Sequence, residues 1–176
     1  MPANQILINR APVLTLWAAV VAERLGFQPD EALSLGKAVA GLTAQSKGRH
    51  LGIYKPVPAE LKKARAQKRG EEFYVELCGR RVPAVNTAEG VRAVAKDAPI
   101  NPDGVGRYLE MKFGDSLGAA RAAMRDLAKS YAPEELMDAA FGLYEDFRPA
   151  IPAGAVGWGA KGKLDLDRVR SLAAGR

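Results

Sequence analysis

The chain has 176 residues, 48% of them hydrophobic: enough for one domain with a packed core, and too apolar for a disordered chain. One cysteine (Cys78) excludes an internal disulfide and a cysteine-based zinc site, and one histidine (His50) removes most histidine-based metal chemistry. The net charge of +6 lies wholly in residues 47–81, which hold 10 basic and four acidic residues, while 1–46 and 82–176 are each balanced.

In chain order, Ile6, Leu7 and Ile8 can dock or add an edge strand. Residues 12–25, PVLTLWAAVVAERL, form the most apolar stretch and predict a helix buried at the centre of the domain, with Pro12 in its first turn and Gly26 as the stop. The helix is too short to span a bilayer, and it has neither the basic leader nor the cleavage site of a signal peptide. A cytoplasmic protein without membrane association is expected.

Pro29, with Asp30 and Glu31 behind it, opens a second helix to about residue 45, folded back on the first. Gly36, Ala40 and Ala44 stand four apart and permit close approach of another helix. The pair has the parts of a helix-turn-helix, but Ser34, Lys37, Thr43 and Gln45 are the only base-reading groups on the second helix.

Residues 45–55, QSKGRHLGIYK, read as a glycine-loosened loop whose N–H groups, with Lys47 and Arg49 beside them, can hold phosphate. Tyr54 can stack on a base or cover the core. Pro58 to Gly70 reads as a basic helix carrying Lys62, Lys63, Arg65, Lys68 and Arg69. Phe73 to Val85 reads as a small β-hairpin turning at Gly79-Arg80, with Arg81 to Val85 returning as a short edge strand whose pairing Pro83 limits.

Thr87 then reads as the cap of a helix with Val91 and Val94 on its inner side. Asn101-Pro102 opens a helix ended by Gly114, Asp115 or Ser116 opens another, and Pro133 opens a third that runs to Phe147. The last two together hold three basic residues against six acidic ones, which argues against phosphate binding there. In the tail, Leu164 and Leu166 read as a short extended piece, and Asp165 or Asp167 as the start of a final helix to Ala174.

Residues 157–163, GWGAKGK, match GxxxxGK, but Leu164 stands where a phosphate loop needs a magnesium-binding hydroxyl, and no clear strand precedes it. Asp165-x-Asp167 lacks the later ligands of a calcium loop. No catalytic residues, metal or cofactor are expected.

The expected fold is mainly α with some β (α+β): one compact helical domain, 1–176, with a small β-hairpin around 73–85. It divides into a helical pair (1–55), a basic helix plus hairpin (56–85) and C-terminal helices (86–176). The leading expectation for function is non-enzymatic nucleic-acid binding, with double-stranded DNA as ligand and little sequence preference. Lys47, Arg49, Lys62, Lys63, Arg65, Lys68, Arg69, Arg80 and Arg81 would contact phosphates, Arg49, Arg80 and Arg81 would also reach a groove, and Tyr54 and Trp158 would stack. The alternatives are a protein-interaction module or homodimer built on helix faces, and an enzyme or binder of an anionic small molecule.

Overall fold

The computed structural model describes residues 5–50, 72–95, 98–150 and 160–175, with backbone alone for 45–50. The fold is mainly helical, with two small antiparallel sheets. Its centre is α1 (Arg10–Arg24), in which every residue from Ala11 to Ala22 is buried. A helix without a polar face has to be enclosed on all sides. Here α2 (Pro29–His50), α3 (Pro102–Phe113), α4 (Leu117–Lys129) and α5 (Pro133–Phe147) all pack against it.

Gly26 ends α1 at a φ of +112°, and Phe27 N–H donates back to the Ala22 carbonyl at 3.0 Å. That closure satisfies a carbonyl the helix leaves open and turns the chain into α2. The two helices approach most closely at Gly36, where an added Cβ would lie 3.0 Å from Ala19 N and 3.2 Å from Ala19 Cβ. The close contact that the small residues permit is therefore made within the chain, at Gly36 and the buried Ala40. On another side of α1, Trp17 Nε1 donates to the Ala140 carbonyl of α5 at 2.8 Å, and its ring meets Phe147 edge-on at 5.3 Å.

The larger sheet is a meander of β2 (Phe73–Leu77), β3 (Arg80–Thr87), β4 (Gly90–Ala95) and β5 (Ala98–Pro99). Its first turn is the expected hairpin. Cys78 (φ +48°) and Gly79 (φ +73°) form a two-residue loop with both φ positive, which matches the twist of the flanking strands. Pro83 pairs with Tyr74 on one side, and the β3–β4 ladder begins only at Ala84. The second strand, expected as a short edge strand, is thus an eight-residue inner one paired on both sides, and Pro83 lies outside only its ladder with β4.

The helix expected after Thr87 is instead strand β4. Thr87 Oγ1 does accept from Glu89 N–H (3.3 Å), as a helix cap would, but Gly90 follows at φ +124° and the chain reverses. Val91 and Val94, three apart, imitate a helical face over a segment too short for the period to decide. The α2 helix secures this second hairpin. Glu31 accepts from Gln28 N–H (2.8 Å) and Val91 N–H (2.9 Å), and Ser34 Oγ accepts from Ala93 N–H (3.1 Å).

The smaller sheet joins distant parts of the chain: β1 (Gln5–Asn9) pairs with β6 (Lys161–Asp165), with Leu7 opposite Lys163. Asp165 then caps α6 (Leu166–Ala174) by accepting from Asp167 N–H at 3.0 Å, so Leu166 belongs to the helix and not to an extended piece. Asn101 caps α3 in the same way, at 2.9 Å from Asp103 N. A single cluster of buried apolar residues runs from Ile6 to Val169 and includes the sheet residues Val82 and Ala93. Among the described residues no helix is long and apolar enough to cross a membrane.

Candidate functional site

The basic segment is entered through α2 and left through the β2–β3 hairpin. Lys47 and Arg49 lie on helical backbone in the last turns of α2, so residues 45–50 of the expected loop are helix instead, and the rest of it falls outside the described residues. Tyr54, Lys62, Lys63, Arg65, Lys68 and Arg69, with the basic helix expected around them, fall outside the described residues, as does Trp158.

Arg80 and Arg81 are neighbours on β3 and meet different surroundings, as alternate strand residues do. Arg80 is half-buried: its Nε donates to Thr43 Oγ1 at 3.2 Å, and its guanidinium lies 5.9 Å from the Phe141 ring centroid. It ties the hairpin to α2 and α5. Arg81 is exposed, and its guanidinium sits 4.3 Å from the centroid of Tyr74, itself an exposed aromatic. The pair presents a flat cation beside an aromatic face on β2 and β3, an arrangement suited to phosphate contact and base stacking.

Of the four groups that a reading helix would need on α2, the side chain of Gln45 falls outside the described ones and the other three are occupied. Ser34 is buried against Glu31 and Ala93, and Thr43 bonds the Val39 carbonyl and receives Arg80. Lys37 Nζ lies 3.9 Å from the Tyr108 ring centroid; burial, aided by the charge of Lys112, lowers its pKa. With α1 enclosed and these side chains engaged, the described part of the pair does not offer a helix-turn-helix reading surface.

Burial pushes the Cys78 thiol up to about 12, so it stays protonated and packs as a small hydrophobe. Lys161, Gly162 and Lys163 of the GxxxxGK match lie in strand β6, and Gly162 packs directly on the Ala150 carbonyl. A phosphate loop would instead lead from its lysine straight into a helix. Among the described residues no group of three or more His, Cys, Asp or Glu can hold a metal ion.

A second cationic site is assembled by folding. A groove lies between the C-terminal half of α1, the start of α2 and one face of α4. It comprises a cavity of about 360 Å³ and a smaller one of about 210 Å³, and Val20, Glu23 and Arg125 line both. Leu16, Val20 and Leu33 give it an apolar floor; Arg24, Arg121, Arg125 and Lys129 surround it. Arg125 pairs with Glu23 at 3.6 Å, and Arg24 donates through one terminal nitrogen to the Tyr131 carbonyl at 2.9 Å. The Nε of Arg24 is buried without an acceptor.

Counting charges missed this site because Asp126 and the acids of α5 cancel the sum. The usable signal was the spacing: Arg121, Arg125 and Lys129 stand four apart and so share one helix face. Comparison of the chain with protein-family models, with curated protein sequences and with solved structures finds no match.

Proposed function

We propose that the chain binds nucleic acid, double-stranded DNA foremost, through the phosphates and with little sequence preference, and that it does so without catalysis. The observation that carries this reading is the placement of the whole net charge of +6 in residues 47–81. A run of lysines and arginines held between a helix end and a hairpin raises the local positive potential where a polyanion can approach. Arg81 beside the exposed Tyr74 adds a described cation and a stacking surface at one end of the run. Arg80, engaged with Thr43 and Phe141, has a structural part in this reading and not the groove contact expected of it.

The contacts would come from Lys47, Arg49, Lys62, Lys63, Arg65, Lys68, Arg69 and Arg81. If about six phosphates are neutralised, affinity falls by about a thousandfold between 50 and 200 mM salt. Fluorescence anisotropy with labelled duplex DNA, single-stranded DNA and RNA, each titrated across salt, tests this. The proposal expects a log-linear loss with salt, and tightest binding to the duplex. Absence of binding at low salt to all three ligands would end it.

A further inference from the structure

We propose that the groove between α1, α2 and α4 is a binding site for a small organic anion, a carboxylate carried on an apolar body. None of its lining residues belongs to the basic segment. Its larger cavity, about 360 Å³ and lined by Val20, Arg24, Arg125, Ala128 and Lys129, is of the size that small ligands occupy, and the smaller one of about 210 Å³, which shares Val20, Glu23 and Arg125 with it, supplies Leu16, Leu33 and Arg121.

The lining has two halves of opposite character, and each selects part of the ligand. Leu16, Val20 and Leu33 offer an apolar surface that a phosphate or a bare inorganic ion would not use. Arg24, Arg121, Arg125 and Lys129 are met by one lining carboxylate, Glu23, whose described ion pair is with Arg125. Among the described residues, no carboxylate lies within ion-pair distance of Arg121 or Lys129. A ligand carboxylate in the groove can engage the guanidinium of Arg121 or Arg125 through both oxygens. The concave apolar floor also separates this site from a nucleic-acid track, which needs an open surface along which a backbone can lie.

The test is a titration of the full ¹⁵N-labelled chain with octanoate, followed by amide chemical shifts, with acetate and 1-octanol as probes of each half alone. Octanoate is expected to saturate with a Kd at or below about 1 mM, shifting the amides of Val20, Leu33 and Ala128, while acetate and octanol bind at least about tenfold more weakly. The double variant Arg121→Gln/Arg125→Gln should weaken octanoate at least about tenfold. Arg125 is exposed and Arg121 half-exposed, so its melting temperature should stay near that of the parent; Lys129→Gln gives an independent, smaller reduction. Shifts scattered away from the groove, octanol binding as tight as octanoate, or octanoate binding indifferent to both variants would each overturn the proposal.

Discussion

The two groups of cations in this chain are organised in opposite ways. Residues 47–81 gather charge by sequence proximity, with no acidic excess nearby to cancel it. The groove gathers Arg24 from α1 and Arg121, Arg125 and Lys129 from α4, around an apolar floor to which α2 contributes Leu33. The first arrangement acts through summed potential, which needs little geometry and is screened by salt. The second acts through fixed donors beside an apolar wall, which needs the fold and is screened less. A linear count of charge finds the first and is blind to the second.

The largest expected effect separates them by ligand. Replacing Lys62, Lys63, Lys68 and Arg69 with alanine should weaken duplex DNA binding by about a hundredfold or more near physiological salt, for all sequences alike, and leave octanoate affinity unchanged. Arg121→Gln/Arg125→Gln should do the reverse. Loss of both ligands in either variant would merge the two sites into one.

Trp17→Ala tests the dependence of the groove on the fold. It removes a fully buried ring, its contact with Phe147 and its bond to the Ala140 carbonyl, at a cost of about 3–5 kcal/mol in chemical denaturation. Octanoate binding should weaken with the fold, while the affinity for a polyanion should persist to higher denaturant concentration.

Gly36→Ala is a smaller and more local wedge. The added methyl would meet Thr15 and Ala19 of α1, and Ala19 also lines the groove. A destabilisation of about 1–3 kcal/mol is expected, although alanine is the better helix former. An unchanged or raised denaturation midpoint would show that α1 and α2 are not in close contact there.

The smallest effect concerns acid. The hydrogen bonds from Val91 and Gln28 hold the Glu31 carboxyl below its ordinary range. A carboxyl whose pKa is lower folded than unfolded stabilises the fold at neutral pH, and that contribution disappears as pH falls through the ordinary glutamate range and below it. Glu31→Gln should lower stability at pH 7 and flatten its decline in acid, read from denaturation midpoints between pH 7 and pH 3. The charge of the basic segment does not depend on this group, so binding of a polyanion at pH 7 should not change.

Much of the helical architecture was legible because its signals are local. Asn101-Pro102, Pro133 and Asp165 mark helix starts by chemistry confined to a few residues, and the run at 12–22, apolar but for Thr15, could only be buried. The β structure was less legible for two physical reasons. Over Val91-Arg92-Ala93-Val94 a strand and a helix present the same apolar spacing, and the positive φ of Gly90 decided between them. The pairing of Ile6, Leu7 and Ile8 with Leu164, Lys163 and Gly162 spans nearly the whole chain, which no local pattern encodes. Of the sites, the basic segment was readable from composition. The groove was not, since Arg24 is separated in sequence from Arg121, Arg125 and Lys129, whose positive charge the acids of the following helix offset in any count along the chain.

The most direct test of the nucleic-acid reading compares the parent with the Lys62, Lys63, Lys68 and Arg69 alanine variant by anisotropy on duplex DNA, over a salt series. The account predicts log-linear salt dependence for the parent, with a slope that falls by about 0.9 for each phosphate contact removed. Equal affinities and equal slopes for the two proteins, or no binding by the parent at low salt, would contradict it.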